Sequence, residues 1–86
     1  MYGKSTGMKD SNGKNVYEFD RVMNGSTGEK GTVFYREYPS NPGLVPYVLK
    51  DDGTFLLISK FGPYEVLANE NADMDFVKRF DYRRVR

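Results

Sequence analysis

The sequence predicts a mainly β domain, a small SH3-like or similar partly open barrel followed by a short C-terminal helix. Three observations carry this. Short runs rich in β-branched and aromatic residues recur along the chain, among them Thr32-Val33-Phe34-Tyr35 and Phe55-Leu56-Leu57-Ile58. Turn-forming pairs and clusters separate them: Asn12-Gly13, Gly25-Ser26-Thr27-Gly28 and Asp52-Gly53. Helical spacing of apolar residues occurs only late, at Phe76, Val77 and Phe80. With 86 residues the chain makes one domain, with the barrel over 8–69 and the helix and a basic tail over 71–86.

Taken in order, residues 1–7 are polar and Gly-rich and predict a frayed end or a short edge strand. Asn12-Gly13 accepts positive φ and predicts a tight reversal. Strict alternation fails over residues 16–23, because neither face is cleanly apolar. A break near Phe19-Asp20 repairs it and would turn Tyr17 and Val22 both inward. Residues 24–30 form an exposed hairpin tip, and residues 31–38 return as a strand. Pro39-Ser40-Asn41-Pro42-Gly43 predicts a loop that cannot sustain a ladder.

Residues 47–58 form the clearest hairpin. With Asp52-Gly53 in the turn, Leu49 would face Leu56 and Tyr47 would face Ile58 on one side. Val48, Leu57 and Phe55 would then lie on the other. Both faces are apolar, so both need cover, one from the core and the other from a helix or a second subunit. Residues 64–68 give one more short strand. Asn71 or Asp73 can cap a helix over 72–81, with Asp73 and Asp75 at its start and Lys78 and Arg79 at its end, and that helix could supply the second cover.

Composition narrows the chemistry. The chain has no His and no Cys, which removes the commonest general base, the thiol nucleophile and the most frequent transition-metal ligands. The carboxylate pairs Asp51/Asp52, Asp73/Asp75 and Glu18/Asp20 lack the fixed spacing of a glycosidase or metal site. No catalytic residue, metal site or cofactor is expected. Residues 25–32 superficially resemble a phosphate loop, but Gly-Lys-Ser/Thr is misplaced and a strand rather than a helix follows. The absence of Cys, of a membrane-length apolar run and of a signal-peptide core makes a soluble cytoplasmic protein the expectation.

Charge is unevenly placed. Residues 1–77 carry 8 basic and 11 acidic groups, a net of −3, and residues 78–86 carry 5 and 1, a net of +4. Lys78, Arg79, Arg83, Arg84 and Arg86, interleaved with aromatics including Tyr82, form a candidate nucleic-acid-binding tail. The rival candidate is a protein-binding surface. Seven Tyr and six Phe supply large area to a small core, but Phe34, Tyr35, Tyr38, Tyr47 and Tyr64 exceed what it can bury, and Phe19, Tyr35, Tyr38, Tyr47, Phe55 and Leu57 are the candidate contacts.

Residues 6–22 read T-G-M-K-D-S-N-G-K-N-V-Y-E-F-D-R-V. This stretch closely resembles the conserved block of YopX-like phage proteins, in which Y-T-G-L-K-D-x-N-G-K precedes a Y-E-G-D-I-V type segment. The similarity continues more weakly through Gly31-Thr32-Val33 and ends near residues 64–69. The chain departs from that pattern in its short leading segment, in Phe19 where the pattern has Gly, and in the added basic residues 78–86. The resemblance implies a small, mostly β, phage or prophage accessory protein acting in a bacterial host's cytoplasm. It suggests a non-enzymatic protein that inhibits or retargets a host protein, such as a defence nuclease complex. Nucleic-acid binding through the tail and a homo-oligomeric structural role stay open. A looser similarity, from Phe19-Asp20-Arg21-Val22 through Gly28, Gly31 and Val33, is to the first hairpin of SH3-like barrels, and it speaks to fold alone.

Overall fold

The structure is a computed structural model that describes backbone and side chains for residues 4–35 and 45–79, and backbone alone for 36–38 and 41–44. It is mainly β. In chain order the elements are β1 (Ser5–Lys9), β2 (Asn15–Tyr17), β3 (Arg21–Asn24), β4 (Lys30–Tyr38), β5 (Asn41–Lys50), β6 (Phe55–Leu57), a 3-10 turn (Ile58–Lys60), β7 (Tyr64–Val66) and helix α1 (Met74–Lys78). Strands β1 and β2 pair as a hairpin, and the other five form an antiparallel sheet in the order β6-β5-β4-β3-β7 that does not close on itself. The partly open architecture follows from the outer edge of β7. There the Val66 N–H donates to the Asp10 carboxylate and the Ser11 N–H donates to the Tyr64 carbonyl, so the β1–β2 turn caps that edge instead of another strand.

Alternation along the strands sorts the side chains onto two faces. Face one holds Val16, Val22, Val33, Val48, Ile58, Phe61 and Tyr64, and Met8, Leu56 and Val66 pack around them. The β1–β2 hairpin lies over this face. Face two holds Phe34, Tyr47, Leu49 and Val77, flanked by Phe19, Val45, Phe55, Leu57 and Phe76. Val77 and Phe76 come from α1, so the helix supplies part of the cover that the doubly apolar β5–β6 ribbon requires. Where β3, β4 and β5 cross, Gly31 sits opposite Lys50, and a Cβ there would lie 2.9 Å from the Leu49 carbonyl oxygen. Only glycine lets the strands approach this closely.

Three local expectations are corrected. Asp51-Asp52-Gly53 forms a three-residue loop, with the Gly53 N–H bonded to the Lys50 carbonyl and the Lys50 N–H to the Thr54 carbonyl. The added residue shifts the ribbon by one: Leu49 pairs with Phe55, Val48 with Leu56 and Tyr47 with Leu57. Phe55 and Leu57 therefore join Leu49 and Tyr47 on face two, and Leu56 crosses to face one. Second, Val16 rather than Tyr17 turns inward beside Val22. Val16 is fully buried and Tyr17 is half-buried on the outer side of the hairpin. Third, the ladder continues through Asn41, which pairs with Tyr38. Pro42 and Gly43 are absorbed as an irregularity between Asn41 and Leu44, a place where a missing N–H is tolerated. Residues 5–9 form a strand paired with β2, the short edge strand expected as one alternative for the N-terminal stretch, running on to Lys9. The helix runs over Met74–Lys78 with Asp73 as its cap, accepting from the Phe76 N–H.

Candidate functional site

The candidate surface begins at the break between β2 and β3. The Asp20 N–H bonds the Tyr17 carbonyl across a four-residue turn, and the Asp20 carboxylate accepts from the Tyr17 N–H. Phe19 occupies the third position with φ 74°, the only positive φ at a non-glycine among the described residues. That position of a type II turn ordinarily takes glycine. A side chain there costs about 1–2 kcal/mol. The Phe19 backbone still joins the sheet, its N–H donating to the Val33 carbonyl at 2.7 Å.

The Phe19 ring lies on face two beside a cluster of aromatics. Phe34 and Phe55 meet edge to face at 6.0 Å between centroids and Tyr47 and Phe55 at 5.7 Å, while Phe34 and Tyr47 lie tilted at 58° and 6.1 Å. Such geometries use the ring quadrupoles favourably and fix the rings relative to one another. Phe34 and Tyr47 are buried, whereas Phe19, Val45, Phe55, Leu57 and Phe76 are half-buried at the margin. Of the predicted contacts, Phe19, Tyr47, Phe55 and Leu57 come together here. Tyr35 does not. It points to face one, is buried, and donates its hydroxyl to the Ser5 carbonyl at 2.9 Å. Burial and, next, the nearby Glu18 carboxylate push its phenol pKa up. Tyr38 pairs with Asn41 through its backbone, and its side chain lies outside the described residues.

Beside this face, Arg21, Thr32, Asp51, Glu70, Asn71, Asp73 and Phe76 line a shallow polar cleft of about 370 Å³. Arg21 grips Asp51 in bidentate fashion at 2.8 and 3.0 Å, and its Nε reaches Glu70 at 3.5 Å. Lys30 holds the other Glu70 oxygen at 2.8 Å. The hydrogen bond from Lys30 keeps the Glu70 carboxyl below its usual range against a smaller opposing effect of burial, with Lys30 and Arg21 charges adding to it. A general acid needs the opposite shift. Of the other carboxylates named in the sequence, Asp52 accepts from the Thr54 N–H and hydroxyl, Asp73 caps α1, Glu18 is buried, and Asp75 is exposed in the first turn of α1. The glycine-rich tip offers no phosphate cradle either. The Ser26 and Thr27 amides bond Asn24 Oδ1, the Gly28 amide bonds the Asn24 carbonyl, and the Glu29 amide bonds Thr27 Oγ1.

Of the candidate nucleic-acid contacts, Lys78 and Arg79 are exposed at the end of α1, and Tyr82, Arg83, Arg84 and Arg86 lie outside the described residues. Two buried polar residues were not singled out in the sequence. Asp10 accepts from the N–H groups of Asn12 and Lys14 with one oxygen and of Val66 with the other. Burial would push its carboxyl up, but the three backbone donors prevail and hold it below its ordinary value. Asn24 ties its own loop to the Phe61 carbonyl through Nδ2. The Asp-x-Asn-Gly spacing signals the local half of the Asp10 network, and nothing local signals the bond to Val66. Among the described residues no helix is long and apolar enough to cross a membrane. Comparison with family models, curated proteins and solved structures returns no match, so fold and chemistry rest on the chain itself.

Proposed function

We propose that this chain is a non-enzymatic accessory protein that acts by binding, and so inhibiting or retargeting, a host protein through face two. The phage setting comes from the YopX-like resemblance of residues 6–22, and a defence effector such as a nuclease complex is the class of target that setting favours. One observation carries the choice of surface. The chain keeps a phenyl ring at a backbone position that favours glycine, and the ring it keeps adds apolar area to the margin of an aromatic cluster. Aromatic anchors set in rigid, partly desolvated surroundings are what protein interfaces use.

The test compares affinity capture from host lysate by the wild type and by Phe19→Gly. The expected result is one dominant protein at near-equal stoichiometry with the wild type, and its loss with a Phe19→Gly variant that is still folded. Empty captures from both uninfected and infected cells would remove this function. Undiminished capture by the variant would remove face two as the surface.

A further inference from the structure

We propose that Asn12-Gly13, in the turn between β1 and β2, is a site of spontaneous deamidation whose product loosens the cap on the edge of β7. The chain holds three pairs with the chemistry for succinimide formation: Asn12-Gly13, Asn24-Gly25 and Asp52-Gly53. In each, the glycine amide nitrogen can attack the preceding side-chain carbonyl carbon, because glycine puts no Cβ in the way. The fold blocks two of them. Asn24 is 7 % exposed, and both ends of its carboxamide are held. Its Oδ1 accepts from the Ser26 and Thr27 N–H groups at 2.7 and 3.1 Å, and its Nδ2 donates to the Phe61 carbonyl. The nucleophile is held as well, with the Gly25 N–H donating to the Pro63 carbonyl at 2.8 Å. Freeing this pair means parting the end of β3 from the segment that leads into β7. Asp52 is exposed, but its Oδ1 accepts from the Thr54 hydroxyl at 2.6 Å and the Thr54 N–H at 2.9 Å. The hydroxyl bond first, and then the N–H bond, keep its carboxyl below the usual range, so it stays ionised, and a carboxylate carbon resists attack.

Asn12 differs on each count. It is exposed, and its carboxamide has no hydrogen-bond partner among the described residues. Gly13 is exposed too, and a Cβ built there would meet nothing within 4 Å, so a ring closing at the turn has room. One local bond restrains the nucleophile, from the Gly13 N–H to the Asp10 carbonyl at 3.0 Å. Opening it disturbs a turn and leaves the five-stranded sheet paired. In the reaction, hydroxide takes the proton of the Gly13 nitrogen, which bonds to Asn12 Cγ. The Cγ–Nδ2 bond breaks, and the amide leaves as ammonia with a proton taken from water. A second step adds water to one of the two succinimide carbonyls and opens the ring to aspartate or isoaspartate. One water is consumed overall, and one ammonium ion is released for each new carboxylate. Isoaspartate lengthens the main chain by one atom between the Asn12 and Gly13 nitrogens. Asp10 Oδ1 accepts from the N–H groups of Asn12 and Lys14 on either side of that point, at 2.9 and 2.8 Å, and Oδ2 accepts from Val66. The longer chain breaks this fit and sets a new carboxylate near the buried one, so the turn releases Val66.

The test ages the full chain in warm, mildly alkaline buffer and follows it by peptide mass spectrometry. A gain of about 1 Da is expected at Asn12 and not at Asn24, with isoaspartate at Asn12 detected by a protein isoaspartyl methyltransferase. In urea the two asparagines should convert at similar rates, because both precede glycine. Asn12→Gln, whose longer side chain would have to close a larger ring, should not convert. Equal conversion of Asn12 and Asn24 in the folded protein would overturn the proposal. So would an Asn12 that stays intact while the chain in urea converts, or isomerisation of Asp52 ahead of Asn12. The isoaspartyl form, separated by chromatography, should have a lower thermal midpoint and faster hydrogen exchange at the Val66 N–H than the wild type. Unchanged exchange at Val66 would overturn the coupling to β7.

Discussion

Replacing Phe19 by glycine separates the backbone cost at that position from the value of its ring. Removing the Cβ at φ 74° recovers about 1–2 kcal/mol. Losing a half-buried phenyl ring costs about 1.5 kcal/mol, half of what full burial contributes. Glycine adds an entropic cost of about 0.5–1 kcal/mol. Together they leave Phe19→Gly less stable than the wild type by about 0–1.5 kcal/mol. Phe19→Ala loses the ring and keeps the unfavourable backbone, and should be the less stable of the two by about 1 kcal/mol, which reverses the usual order of these residues. Phe34→Ala, a fully buried ring on the same face, should cost about 3–5 kcal/mol. Urea unfolding followed by far-ultraviolet circular dichroism gives the midpoints and slopes that test this ranking. A loss above about 2.5 kcal/mol for Phe19→Gly would refute the reasoning, because it would make the ring a core element and not a surface one. So would a glycine variant less stable than the alanine one.

Other substitutions probe the frame that presents these surfaces. Asp10→Ala leaves three backbone N–H groups without their acceptor and should cost about 3 kcal/mol in denaturant unfolding. Because the folded carboxyl of Asp10 sits below its unfolded value of about 3.9, its contribution is full above that pH and is lost as pH falls through the folded value. The stability curve of Asp10→Ala should therefore be flatter than the wild type's below about pH 4. Gly31→Ala forces a methyl to within 2.9 Å of the Leu49 carbonyl oxygen and is expected to lower stability by about 2–3 kcal/mol, read as a drop in thermal midpoint. The Tyr64 hydroxyl is buried without a hydrogen-bond partner among the described residues, so Tyr64→Phe should be neutral or raise stability by up to about 1 kcal/mol.

The elements with local chemical signals were legible in the sequence. Asn12-Gly13 marks its turn, the failed alternation over residues 16–23 marks the break at Phe19, and Asp73 marks the start of α1. What was misread depended on counting or on distance. Asp52-Gly53 supports either a two- or a three-residue loop, and that single residue decides which face Phe55, Leu56 and Leu57 occupy. Tyr35 and Tyr47 belong to one residue type, with comparable neighbours along the chain. Only the strand parity set by the β4–β5 pairing sends one to each face. Of the candidate surface, the sequence marked Phe19, Phe55 and Leu57 at its margin, whereas the expected aromatic excess is absorbed, since Phe34, Tyr35, Tyr47 and Tyr64 are all buried. The sequence could not assemble them, because Phe19, Phe34 and Phe55 meet through β3–β4–β5–β6 pairing and not through proximity along the chain.

The bond from Val66 N–H to Asp10 joins residues 56 apart in the chain. It makes the order of assembly during synthesis consequential. The turn at residues 10–14 is made before β7, and its carboxylate meets its third donor only after β7 has emerged. Until then the hairpin has only its own local pairing, and an isolated two-stranded ribbon is marginal in water. Long-range closure of this kind slows folding, since chain entropy is lost before the contact forms. A nascent chain halted before residue 64 should thus leave Met8 and Val16 without their full core, and protease or chaperone binding to arrested chains would report it.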